Sequence, residues 1–188
     1  MQRLFAVILL ILPVACAQTP MQRIASLFSD RWTIVDRSVS SDGHSKEPSR
    51  KGEERWYTLG AGAPLIEEYR SQSLDGTWEY DTAAILWDAT LRKYRGVFCA
   101  DFLDHGCDPF EVDWPERIGH LIVMSGSYTQ KGKVHRWREE FDFSSHTQFT
   151  QSLYIAEAES DLKLVASILA IRVPGTSRTD VHRRVPVE

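Results

Sequence analysis

Downstream of Phe28 the apolar positions come in short β-branched and aromatic runs, parted at fairly regular intervals by turn residues. The punctuation is Asp42-Gly43, Lys51-Gly52, Gly60-Ala61-Gly62, Asp75-Gly76, His105-Gly106 and Lys131-Gly132; in such pairs glycine supplies the positive φ that a tight reversal needs. Between them lie runs at 31–40, 53–59, 64–73, 83–88, 93–102, 110–114, 120–128, 134–143, 147–157 and 162–172. Several alternate as half-buried strands do. In 134–143 one face carries His135, Trp137, Glu139, Phe141 and Phe143, and the other Val134, Arg136, Arg138, Glu140 and Asp142. One segment has helical spacing instead: apolar residues at 21, 24, 25, 27 and 28, with Pro20 placed to start the first turn. No long helix separates the strands, so parallel βαβ units are excluded in favour of antiparallel pairing. Closure also removes the exposed edges of an open sheet. The pattern therefore predicts an all-β protein: an up-and-down antiparallel barrel of about ten strands with one short N-terminal helix.

The first residues change the picture from a domain to an exported domain. Met1-Gln2-Arg3, an apolar run over 4–14 and Ala15-Cys16-Ala17 have the order of a secretory signal, with cleavage expected after Ala17. The run is shorter than the roughly 20 apolar residues that span a bilayer. A competing reading makes Cys16, after Val14-Ala15, a lipidated first residue and a membrane anchor, although Pro13 stands where such signals usually carry leucine. The expected organisation is a signal at 1–17, a barrel domain at 18–172 and a flexible tail at 173–188, in which His182-Arg183-Arg184 is too short to make a basic footprint. The expected location is periplasmic or extracellular.

Charge excludes one class of function. The chain has 22 basic and 26 acidic residues; losing Arg3 leaves 21 against 26, near −5. That mild, dispersed acidity has none of the basic striping of a nucleic-acid binder. Asn is absent, so no N-glycosylation acceptor exists. In an oxidising compartment Cys99 and Cys107 read first as a disulfide across a hairpin-like loop. A metal site of Cys99, His105, Cys107 and Asp108 is the alternative, but structural zinc usually takes a second ligand pair at recognisable spacing, which is not visible.

The segments 52–59 and 64–73, the pair Ala84-Ile85-Leu86-Trp87-Asp88 and Lys93-Tyr94-Arg95-Gly96-Val97-Phe98, Ser125-Gly126 and the charged strand 134–142 together resemble, in order, a bacterial family of unknown function numbered 1579. The resemblance covers about 32–172. It implies a lipocalin-like, calycin-type barrel and no established activity. The signal, the Cys99/Cys107 pair and the insertion at 104–114 depart from the family pattern.

Candidate chemistry is sparse. Asp88 and Lys93 fit a hairpin better than a site mouth, with Asp88 opening the turn and Trp87 packing across to Tyr94. Of Glu67 and Glu68 one must face inward, where a carboxylate needs a partner such as Arg138 or Arg136; an inward Glu–Arg–Tyr cluster is the best-founded catalytic reading. A haem-binding calycin would need an inward histidine, and alternation singles out neither His120 nor His135. Serine elbows and glycine-rich phosphate loops are missing, and no cofactor is implied. Aromatic residues recur about once per strand, either filling a barrel or lining its cavity. The expected function is non-catalytic binding of a small, largely apolar ligand by Trp56, Glu67, Tyr69, Trp87, Tyr94, Trp137, Arg138 and Tyr154. A ligand-free structural or protein-interaction module of the envelope, or an enzyme built on the Glu–Arg–Tyr cluster, are the alternatives.

Overall fold

Thr19 starts the N-terminal helix through a reciprocal cap. Its hydroxyl accepts from the Gln22 amide at 3.2 Å, and the Gln22 side chain accepts from the Thr19 amide at 2.9 Å. Two otherwise orphaned donors are satisfied, and Pro20 occupies the first turn, where a missing N–H costs nothing. Helix α1 (Pro20–Phe28) buries Met21, Ile24 and Phe28 on one stripe and closes with the Ser29 amide on the Ala25 carbonyl. The computed structural model describes residues 18–38, 50–114, 120–157 and 159–174. The expected signal with Cys16, the Asp42-Gly43 turn and nearly all of the tail lie outside them.

Ten strands follow: β1 (Asp30–Ser38), β2 (Arg50–Thr58), β3 (Leu65–Ser73), β4 (Trp78–Asp88), β5 (Lys93–Ala100), β6 (Cys107–Asp113), β7 (Leu121–Gln130), β8 (Lys133–Asp142), β9 (Gln148–Glu157) and β10 (Lys163–Arg172). Each pairs antiparallel with the next, and β1 pairs with β10 from Trp32↔Arg172 to Ser38↔Ala166, closing an up-and-down barrel. The predicted fold class is therefore the observed one. The expected strand at 83–88 begins earlier, at Trp78, because Glu79 and Asp81 continue the inward row of Ala83 and Ile85. Its polar start hides it from a hydrophobic pattern.

Glycine does its expected work at some of the reversals: Gly76 lies at φ +89°, and Lys131-Gly132 at +51° and +72°. Such φ values suit hairpin turns whose twist matches the strands. The turn expected at Lys51-Gly52 is instead the start of β2, where Gly52 pairs with Ile34 and Ser71 and leaves room for the closely approaching β3 backbone. Gly96 has another role. A Cβ there would collide with the Phe110 ring, which packs across from β6 onto the bare backbone. Cys99 and Cys107 stand directly opposite in the β5–β6 register, with Cα atoms 4.0 Å apart and sulfurs at disulfide distance. Among the described residues no helix is long and apolar enough to cross a membrane.

Eight strands make a barrel just wide enough for its own side chains to fill; ten enclose more. One end is filled by α1. Phe28 is fully buried, its ring 4.4 Å from Trp56, 4.8 Å from Phe143 and 5.2 Å from Phe141. Trp32 donates its indole N–H to the Phe28 carbonyl at 2.9 Å and packs on Phe149. Tyr94 donates to the Pro20 carbonyl at 2.6 Å. Phe28→Ala should therefore cost about 3–5 kcal/mol, the range for removing a buried aromatic ring. Urea unfolding of the variant should show a lower midpoint with an unchanged slope; an unchanged midpoint would mean that the helix does not seal the barrel.

Candidate functional site

Among the described residues the opposite half of the lumen is not filled. A cavity of about 190 Å³ lies there, more than ten times the roughly 10–15 Å³ that one water needs. Period-two alternation positions its walls. Trp137 and Glu139 come from the inward row of β8, Glu67 and Tyr69 from β3, Asp81 and Ala83 from β4, and Phe110 and Met124 from β6 and β7. The Trp137 ring lies 5.5 Å from Phe110 and 6.4 Å from Phe98. At the rim Phe102 meets Tyr128 at 6.0 Å, and Tyr128 stacks on His135 at 5.0 Å. Arg50 and Glu79 form an ion pair beside them. The rim loops are tied together: Asp104 accepts from the Lys131 amide at 2.9 Å and the Gly132 amide at 2.7 Å, while its own amide donates to the Thr129 carbonyl.

Between the sealed half and the open half runs a layer of acids: Glu54, Glu67, Asp81 and Glu139. Burial is the first cause of every shift in it. Glu54 is pushed up to about 8, with the Trp56 indole hydrogen bond opposing and Glu139 adding to the rise. Glu139 is raised to about 7, opposed by a hydrogen bond from Gln151. Glu67 is held well above its ordinary range by burial and then by Glu54, Asp81 and Glu139. Asp81 is raised likewise by burial, Glu139 and Glu54, with Arg50 pulling the other way. A buried carboxylate without a cation keeps its proton, so near pH 7 this layer holds protons that solvent-exposed acids would have lost.

The structure brings together at the cavity three of the eight residues expected to bind a ligand. Glu67, Tyr69 and Trp137 line the cavity; Trp56 lies in the sealed half against Phe28 and donates to Glu54. Trp87 and Tyr94 also turn inward, rings 4.9 Å apart, but in the half sealed by α1. Arg138 does not join them. Inward Trp137 and Glu139 put it on the outer wall, paired with Glu140 at 2.6 Å, and Tyr154, opposite it in the β8–β9 register, shares that wall. Arg136 also faces outward, donating to the Ser160 carbonyl at 2.6 Å. The cation beside the lumen is Arg50 instead. Of the two glutamates, Glu67 is inward and Glu68 accepts from Tyr57 on the surface at 2.8 Å.

Sequence reasoning passed over Glu54, Asp81 and Glu139. The signal was there: each sits two residues from a large or apolar inward residue, Trp56, Ala83 and Trp137 or Phe141. His120 is largely exposed beside Asp142, whereas His135 lies at the rim. Among the described residues no three His, Cys, Asp or Glu side chains converge as metal ligands do.

The fold and site define a class: a ten-stranded up-and-down barrel, plugged at one end by a helix and, among the described residues, hollow at the other. No protein-family model and no curated protein matches the chain. Among solved structures it is similar to Rv2717c from M. tuberculosis at 12% identity and a TM-score of 0.55, over 84% of this chain and 99% of that one. That likeness shows the barrel fold. Looser matches include a de novo designed fluorescence-activating β-barrel (14% identity, TM-score 0.41, 80% of this chain and 98% of that one). EF1p2_mFAP2b bound to DFHBI is another, at 11% identity and a TM-score of 0.44 over 81% and 99%.

The acid layer makes stability fall as pH rises. Unfolded, these acids ionise near their ordinary values; folded, Glu139 and Glu54 keep their protons to about 7 and about 8. The native state thus binds more protons between about pH 4.5 and 8, and the layer's contribution is lost across that window. Glu54→Gln keeps the acceptor for Trp56 and removes the titration. Its melting temperature should exceed wild type by about 2–5 °C at pH 8.5 and match it at pH 4.5. Parallel melting curves at both pH values would show instead that Glu54 ionises freely.

Proposed function

We propose that this protein is an exported, non-catalytic barrel that holds a small, largely apolar molecule in the open half of its lumen. The observation that carries the reading is the aromatic-walled cavity left beside a tightly packed, helix-sealed half. A concave, mostly apolar space with a few converging polar groups is the usual form of a small-molecule site. The signal-like N-terminus and the Cys99–Cys107 pair support a periplasmic or secreted location. N-terminal sequencing of protein from its host should begin at Gln18; a blocked, lipid-bearing Cys16 would replace the soluble location with a membrane-anchored one.

A second reading, a protein-interaction module, draws on the outer wall of β4, where half-exposed Trp78 and Tyr80 stack at 6.1 Å with Leu86 exposed on the same face. The two separate on one measurement. N-phenyl-1-naphthylamine, uncharged at neutral pH, should brighten on entering the barrel with micromolar affinity. Ala83→Leu and Ala166→Phe, which push side chains into the cavity, should each weaken it at least tenfold while the fold persists by circular dichroism. Weakening by Trp78→Ala, with both cavity variants binding normally, would move the site to the outer wall.

A further inference from the structure

Acids dominate the charged lining of the cavity. Glu67, Asp81 and Glu139 reach it from β3, β4 and β8, with Glu54 behind them on β2. The other charged or titratable groups facing this layer are Arg50 from β2, Tyr69 from β3, Glu79 from β4, Asp101 beyond β5, Tyr128 from β7 and His135 from β8. Asp108 lies on the inward row of β6. Arg50, the one arginine lining the cavity among the described residues, is already paired with Glu79.

The acids alone define no ligand, but two further observations do. The hydroxyl of Ser71, fully buried on the inward row of β3, has no hydrogen-bond partner among the described residues. Buried polar atoms are rarely left in that state, and each unmet one costs free energy until a donor arrives. Aromatic rings share the lining with the acids: Trp137, Phe98, Phe110 and Tyr69. Ring faces attract cations, most strongly where water is excluded. The acids do not converge as metal ligands do, so the fitting cation is larger than a bare ion.

We propose that the cavity takes an organic cation: a protonated amine on a compact apolar body, its ammonium among Glu67, Asp81 and Glu139 and its body against Trp137, Phe98 and Phe110. The inference rests on the ligand-binding reading above and names the class of ligand. Entry of the cation ionises a carboxyl of the layer, and the displaced proton leaves to solvent, so the lumen gains one charge as it loses one. The raised acids make that exchange visible in ordinary buffers, because the empty layer still carries protons near neutrality. Affinity for the cation then rises with pH, by up to tenfold per unit below the titration midpoint when one proton is released.

Three probes of one shape test it: 4-phenylbutylamine, 4-phenylbutan-1-ol and 4-phenylbutyrate, titrated calorimetrically into the full barrel. At pH 8.5 the amine should bind at least tenfold tighter than the alcohol, and the acid weakest. Lowering the pH to 6 should weaken the amine about tenfold or more and leave the alcohol unchanged. At pH 6.5, buffers of different ionisation enthalpy should report release of close to one proton per amine. Glu139→Gln and Asp81→Asn should each cut the amine's advantage to within threefold without weakening the alcohol, so that loss of fold and loss of charge are told apart. An amine that gains nothing over the alcohol, or an affinity flat in pH, overturns the cation and leaves the ligand-binding reading if N-phenyl-1-naphthylamine still binds. Failure of that dye and all three probes overturns both.

Discussion

Everything inside this protein follows from the pairing of β1 with β10. Closure fixes the strand number at ten, and ten strands enclose a lumen wider than their own inward side chains can fill. Close packing is worth too much for the whole of that space to stay empty. The chain meets the constraint unevenly. At one end it lays a helix across the opening and crowds Phe28, Trp56, Phe141, Phe143 and Phe149 beneath it. At the other it leaves room. The cavity is thus the remainder of a packing problem solved in one half only.

That division sets the electrostatics. The acid layer lies where packed core gives way to cavity, buried from solvent and with its neighbouring cation, Arg50, already paired to Glu79. Burial therefore dominates every shift in the layer, and the mutual repulsion of the acids adds to it. A protein needing only stability would place apolar side chains at these positions, as it does at neighbouring Ile85, Leu65 and Phe141.

The wall of the barrel was legible in the sequence because strand alternation and turn glycines are local signals. The ten runs, the helix at 21–28 and the Cys99–Cys107 pairing follow from residues close together in the chain. What was not legible is which of two alternating faces turns inward when both carry charge. On β8 the choice between Arg138 and Glu139 is decided by Trp137 and Phe141, whose partners Phe110 and Phe149 lie on other strands. Arginine looked like the natural partner for Glu67, and tertiary packing placed it outside. Trp87 and Tyr94 point inward as expected, but their height along the barrel, under α1 and away from the cavity, depends on register and on the helix. No local pattern reports either.

The helical seal has a consequence in time. Helix α1 and β1 are made first, yet Phe28 rests on Phe141, Phe143 and Phe149, and β1 pairs along its far side with β10. Their partners are the last parts of the domain to be synthesised. Until those arrive, β1 is a raw edge and Phe28 an uncovered ring, the kinds of surface through which partly made β proteins stick to one another. Contacts this distant in sequence also form slowly. The hazard of this architecture therefore falls on the newborn chain, and it ends only when the final strand closes the ring.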